Sequence, residues 1–513
     1  MRGGERLLDR LRWLAWVCLL LSLPITSFPF FPSFAALGET LVRPLALYPL
    51  VVLLLTDWIP YVLRGGRLPR ILLPLLGFTL VALLGTLLNL LHPSLPLRGQ
   101  LPIARGIRAL GTLGIGLGFL LVAIRMMGSK AKIAASVRWL ILGQGVAMGW
   151  GLLQGSRILL RWPHYAPLNA VQRLISVQDM QLDRVTGLTY EPSWFADQLV
   201  VLALPLLLAA LVTGYRLVLP RLRFPIVEAA LTMAGVVVLV LTYSRGGVLA
   251  LGVSAGVGML GMLVMLLPRW REILAWLRGG GPEGVPRGVR MGRGVLRSAL
   301  VLVLAGSAVS LVAWLALRNQ YFTLLWRLLG RLSNPASYFL QLGAGTRFAL
   351  AVAAWGIFSS HPWLGVGLGQ SGFYIFDHLP GWAFDRIPEM TLMLSPESWT
   401  FPNPKNLWIR LLAETGLPGA LLFAVFLFIV LAGGLALARR TDRFARFLGA
   451  AGVMSWLAIL VEGFSLDSFA LPTMWIALGL TIAGCWLLLD GHGESAEGER
   501  ADAAHPGEIP LLQ

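Results

Sequence analysis

The chain has 513 residues, of which 57% are hydrophobic and only 13% charged, against a usual charged share of about 25%. A composition this apolar excludes a soluble globular protein and fits a polytopic membrane protein. The formal net charge of +17 comes from 42 basic against 25 acidic residues, a surplus that membrane topology accounts for without any nucleic-acid partner.

A helical span needs about 20 mostly apolar residues to cross roughly 30 Å of hydrocarbon. Twelve such runs follow in chain order, near residues 11–31, 44–63, 71–91, 106–124, 139–156, 194–213, 224–243, 247–267, 298–317, 417–437, 447–465 and 470–489. The first follows a basic start, is longer than a signal-peptide core and lacks a small-x-small cleavage site, so it reads as a retained span. With the N-terminus inside, 26 of the Lys and Arg fall in the inner segments and 16 outside, which places both termini in the cytoplasm. The Gly/Pro/Arg-rich stretch 268–297 then reads as a cytoplasmic linker, and the acidic tail 490–513 as disordered. The expected fold is all-α: nine spans in 1–317 with an outer loop at 157–193, an external loop subdomain at 318–416, and three more spans in 417–489.

Those two outer loops are long, and too rich in aromatic residues and Leu to be disordered, so the working surface is expected to face outward. Helical periodicity over 345–360 and 406–415 predicts that the longer loop is a small helical subdomain on the membrane. Cys18 and Cys485 sit in apolar runs and read as small hydrophobes. The six histidines show no metal-ligand spacing, and there is no GxxxxGK[ST] phosphate loop, which argues against a zinc hydrolase or an ATP-driven pump. No metal or cofactor is expected.

Ionisable groups at a membrane are costly and are candidates for function, especially where several share one depth. Here Arg184, Glu191 and Asp197 approach the sixth span, Arg245 lies on the hairpin joining the seventh and eighth, and Glu462 and Asp467 end the eleventh. Arginines near span ends also snorkel and pair with carboxylates for purely structural reasons. Arg245 stands apart, because its place in Tyr243-Ser244-Arg245-Gly246-Gly247 runs against the positive-inside preference. Guanidinium forks match phosphate oxygens bidentately, so an outward-facing set of them suits a lipid-linked diphosphate. Simple attraction to anionic headgroups is the plainer alternative.

Four segments, taken in order, resemble the O-antigen ligase and polymerase superfamily of bacterial membrane glycosyltransferases. They are Arg184-Val-Thr-Gly-Leu-Thr-Tyr-Glu191-Pro-Ser193; Thr242-Tyr-Ser-Arg-Gly246; Gly345-Thr-Arg347 with Trp355 and the run from His361 to Gly369; and Asn406-Leu-Trp-Ile-Arg410 through Glu414 to Gly419. The resemblance covers roughly residues 184–437. One position departs from it: family ligases usually carry a histidine just before the Asn-Leu of the fourth segment, and here that position is Lys405. An ammonium can accept a hydroxyl proton only after giving up its own, so this lysine serves either as an unusual base or as a phosphate ligand.

The resemblance implies glycan transfer at the outer face of the cytoplasmic membrane, from an undecaprenyl-diphosphate-linked glycan to a hydroxyl of a glycan or glycolipid acceptor such as lipid A core or a growing polysaccharide. It implies Arg245 and Arg347 as diphosphate ligands with Arg184 in support, and Lys405, Glu191 and His361 as candidates for handling the acceptor proton. Asn406, Glu414 and Arg410 are expected to support them; Glu414 also has the plainer reading of a partner for Arg410, and His361 that of a helix-ending turn. A lipid-linked-glycan flippase or transporter, and a non-catalytic scaffold of a polysaccharide export complex, are the alternatives.

Overall fold

The computed structural model describes residues 2–30, 42–91, 94–160, 165–218, 225–257, 323–324, 327–328, 334–395, 398 and 401–489. The ninth expected span, the 268–297 linker, the tail 490–513 and the eighth span beyond Val257 lie outside the described residues. Among the described residues the chain is all-helical and contains no strand.

The first half comprises α1 (Arg2–Ser22), α2 (Leu47–Leu63), α3 (Arg70–Asn89), α4 (Pro102–Met126), α5 (Lys130–Leu160), α6 (Tyr165–Ile175), α7 (Pro192–Thr213), α8 (Ile226–Leu241) and α9 (Arg245–Val257). The second comprises α10 (Pro335–Gln341), α11 (Gly345–Ser360), α12 (Gly381–Arg386), α13 (Pro388–Leu394), α14 (Leu407–Ala438), α15 (Arg443–Glu462) and α16 (Pro472–Leu488). Of these, α3, α4, α7, α14 and α15 are long and apolar enough to cross a membrane, which makes this a multi-pass membrane protein; α2, α8, α9 and α16 are shorter apolar helices overlapping four more of the expected spans. Several helices begin with proline as the first residue, as in α4, α7 and α16, where its missing N–H costs nothing and its fixed φ already suits a helix.

The central helix is α7. Of its most apolar stretch 89% is buried, against 33% for α3 and α14, and α8, α15 and α16 pack around it. Outside them α14 lies between α3 and α15, and α16 lies on α4. A separate apolar core joins Ala349, Leu350, Ala353, Ala354 and Ile357 of α11 to Ile375, Ala383, Ile387, Met390 and Ala413. The α11 residues follow the three- and four-residue spacing of one buried helix face, at the position that periodicity predicts.

The tenth span differs from the expected start at 417. Its helix begins at Leu407 and runs through the end of the loop into the span, with one break at Gly416 (φ 65, ψ −171). Such a break frees backbone groups that an apolar setting does not solvate. The run from His361 onward supplies their partners: Val366 N–H donates to Ala413 O and Gly367 N–H to Glu414 O, both at 3.0 Å, while Leu417 N–H donates to Pro362 O at 2.8 Å. Glycine is required at the contact, since a Cβ on Gly416 would lie 2.2 Å from Trp363 O. The His-Pro-Trp-Leu-Gly segment and the Glu-Thr-Gly-Leu-Pro-Gly segment are therefore two halves of one packing motif.

Candidate functional site

The turn between α15 and α16 is held rigidly from below. Phe469 packs against Phe78, Phe423 and Trp475, with ring centroids 5.9 to 6.2 Å apart. The Trp475 indole donates to the Phe469 carbonyl at 2.8 Å. At its start, Ser465 N–H and Leu466 N–H both donate to Glu462 O at 2.8 Å, closing the last turn of α15.

Distant segments meet on this turn. Arg347, at the start of α11, donates from Nη1 to Ser465 O at 2.6 Å. Leu407 N–H donates to Gly463 O at 2.7 Å, and Arg410 donates to Asp467 O. Gly246 faces the same place: a Cβ there would lie 3.1 Å from Ser465 Oγ and 3.6 Å from each carboxylate oxygen of Glu462. The Arg245 side chain turns toward the loop, donating to Leu342 O at 2.6 Å. Behind it, Arg184 Nε donates to Thr242 O at 2.9 Å and Val185 N–H to Leu241 O at 3.0 Å. Tyr243, with φ 50, holds this hairpin in the left-handed region that non-glycine residues seldom adopt.

Two buried carboxylates complete the arrangement. Asp197 of α7 and Glu462 are 7% and 2% exposed, and both line a cavity of about 40 Å³ with Leu407, Gly463, Leu466 and Ser468. Beside it lies a second charged group. Arg410 Nε pairs with Glu414 Oε2 at 2.9 Å, Glu414 Oε1 accepts from Ser371 Oγ at 2.7 Å, and the Arg105 guanidinium sits 3.9 Å over the Phe401 ring. Among the described residues no group of three or more His, Cys, Asp or Glu is placed to hold a metal.

Residues 229–424 match the family model described as O-antigen ligase. The match supports the O-antigen ligase/polymerase superfamily and bears out the resemblance seen in the sequence motifs. No curated protein matches the chain. The matched segment spans the Ser-Arg-Gly hairpin, Arg347, the His361 run and the Asn406–Gly419 segment; Arg184, Glu191, Asp197 and Glu462 lie outside it.

Of the residues singled out in the sequence, the structure brings Arg184 and Arg245 together at the hairpin and Arg347 and Arg410 at the turn after α15. Lys405 is exposed just before α14, with φ 50. Asn406 caps α14, its Oδ1 accepting from Trp408 N–H and Ile409 N–H at 3.0 and 3.2 Å, a local role that explains an Asn at this position. Glu414 is the buried partner of Arg410. Glu191 immediately precedes α7 and its Oε2 accepts from Ser193 Oγ at 3.0 Å. His361 ends α11, lies near Ile357 O through Nδ1 at 3.4 Å and stands edge-on to Tyr374; its contacts are those of the strap across the α14 break. In the sequence alone, Asp197 and Glu462 stand out only as carboxylates at span ends. The signal for them is that each interrupts an otherwise apolar run at the depth of the arginines.

Proposed function

We propose that the protein is a membrane glycosyltransferase that moves a glycan from an undecaprenyl-diphosphate-linked donor to an acceptor hydroxyl, on lipid A core or a growing polysaccharide, at the outer face of the cytoplasmic membrane. Both termini would then be cytoplasmic. The observation that carries this reading is the meeting of the Arg245 hairpin and the Arg347 helix on the Ser465 turn, inside a chain whose 229–424 segment matches O-antigen ligase.

In this reading Arg245 and Arg347 hold the diphosphate, with Arg184 bracing the hairpin through Thr242. Cations placed where charge develops on the departing diphosphate lower the barrier without a metal, because the leaving group is already good once neutralised. Of the three residues that the sequence motifs offer for the acceptor proton, Lys405 ranks ahead of Glu191 and His361, although an ammonium must first lose its own proton to serve. Its exposed ammonium at the entrance to α14 suits it equally to a phosphate oxygen. The apolar faces of the spans would hold the polyprenyl tail.

The test is transfer by membranes containing the protein, supplied with undecaprenyl-diphosphate-linked glycan and acceptor. Arg245→Ala and Arg347→Ala are each expected to lower transfer at least about a hundredfold; wild-type transfer by both variants would refute the assignment. A transporter reading has one specific observation in its favour, the broken helix α14, since broken helices line many transport sites. The freed groups at that break are bonded to the His361 run, so the catalytic reading is preferred.

A further inference from the structure

Resting on the glycosyl-transfer reading, we propose that Glu462 takes the proton from the acceptor hydroxyl, with Asp197 as the neighbouring carboxylate that can receive it next. The fourth sequence segment has a lysine where family ligases place a histidine, and an ammonium is poorly suited to accept a proton. A carboxylate already in the site removes the need for that histidine.

The geometry supports Glu462 in particular. It closes α15, and its Oε2 accepts from Ser465 Oγ at 3.1 Å. Its Oε1 is buried and has no hydrogen-bond partner among the described residues. A buried acceptor left unpaired is costly, so a water or a hydroxyl of a bound molecule is expected to satisfy it. Asp197 of α7 lines the same cavity, so a second carboxyl group faces the space that Glu462 closes.

Size decides what can enter. A water-sized group needs roughly 10–15 Å³ of such space, so a cavity of about 40 Å³ admits a hydroxyl with a water beside it and excludes a sugar ring. The acceptor sugar would therefore stay outside and insert one hydroxyl. That hydroxyl would arrive beside the proposed diphosphate ligands: Gly246 lies against both Glu462 oxygens, and Arg347 is bonded to Ser465, three residues on. Gly246 keeps this approach open because any side chain there would press on Ser465 Oγ.

The acceptor oxygen forms a bond to the anomeric carbon as the bond from that carbon to the diphosphate oxygen breaks. The diphosphate leaves with the bonding electron pair, its charge met by Arg245 and Arg347, and the hydroxyl proton passes to Glu462 Oε1. Lys405 is then a cation for the phosphate, and its proton is never required to leave.

The experiment uses the full-length protein in nanodiscs with radiolabelled undecaprenyl-diphosphate-linked glycan, reading donor binding and turnover separately. Glu462→Gln is expected to bind donor within about twofold of wild type and to lose about a hundredfold or more in kcat, with Glu462→Asp recovering part of the loss. Turnover by Glu462→Gln within about threefold of wild type overturns the proposal, as does loss of donor binding in the same proportion as turnover. If Glu462→Gln does not fold, Asp197→Asn is read by the same two measurements and the same criteria. Wild-type protein that neither binds nor transfers the donor would refute the glycosyl-transfer reading itself, and this inference with it.

Discussion

The Arg347 guanidinium reaches across 118 residues of sequence to donate to the Ser465 carbonyl at 2.6 Å. This one bond ties the first helix of the long loop's core to the turn after α15, and so fixes the loop over the membrane-spanning bundle. An arginine suits the position doubly, because a planar fork can hold a carbonyl with one arm and present other N–H groups to a phosphate. Arg347→Lys keeps the charge and loses the fork. It is expected to cut transfer at least about tenfold while Arg347→Ala cuts it further, as read from initial rates with lipid-linked donor at fixed salt.

Gly416 should tolerate no side chain. Its φ of 65 and the 2.2 Å approach of Trp363 O to a would-be Cβ make Gly416→Ala destabilising by at least about 2 kcal/mol. Gly111, within α4, has nothing within 4 Å of its would-be Cβ, so Gly111→Ala is expected to be neutral or to stabilise by up to about 1 kcal/mol. Thermal unfolding of the purified variants in one detergent compares them; equal midpoints would mean that the α14 break is not as described.

Arg410 and Glu414 form a buried pair at 2.9 Å, with side chains 14% and 2% exposed. Removing one partner leaves the other charge uncompensated, at a cost of about 3–5 kcal/mol. Arg410→Ala is therefore expected to lower the amount of folded protein in the membrane, measured by monodisperse yield after extraction. Replacing both residues, Arg410→Met with Glu414→Gln, should recover much of that yield.

Lys405 and Asn406 are adjacent and separable. Asn406→Ala removes two bonds to the first turn of α14 and is expected to cost about 1 kcal/mol of stability, with Asn406→Asp close to wild type. Lys405→Arg should leave transfer within about threefold and Lys405→Ala should weaken donor affinity, because a cation at this position meets the diphosphate. Transfer by Lys405→Ala with unchanged donor affinity and a collapsed kcat would instead make Lys405 the proton acceptor.

What the sequence makes legible here is local. Apolar run lengths locate the five helices long enough to span, α3, α4, α7, α14 and α15, and three- and four-residue spacing locates α11 at 345–360. The order of four short segments points to the family. The contacts that build the site are not local: Asp197 and Glu462 are 265 residues apart, and nothing in either neighbourhood announces the other. The start of the tenth span was hidden for a related reason. Gly416 and Pro418 look like a loop end when read in isolation, and only the strap from His361 onward, bonded to Ala413 O and Glu414 O, makes a continuous kinked helix possible. Asn406 shows the converse, a motif residue whose role in the structure is a helix cap.

The decisive measurement incubates purified protein in nanodiscs with undecaprenyl-diphosphate-linked glycan and acceptor, with no nucleotide, and follows released undecaprenyl diphosphate and elongated or ligated acceptor by mass spectrometry. Wild type is expected to give both products in equal amounts, and Arg245→Ala with Arg347→Ala neither above background. Donor carried across the membrane with no diphosphate released, or equal product from wild type and the double variant, would contradict the glycosyl-transfer reading.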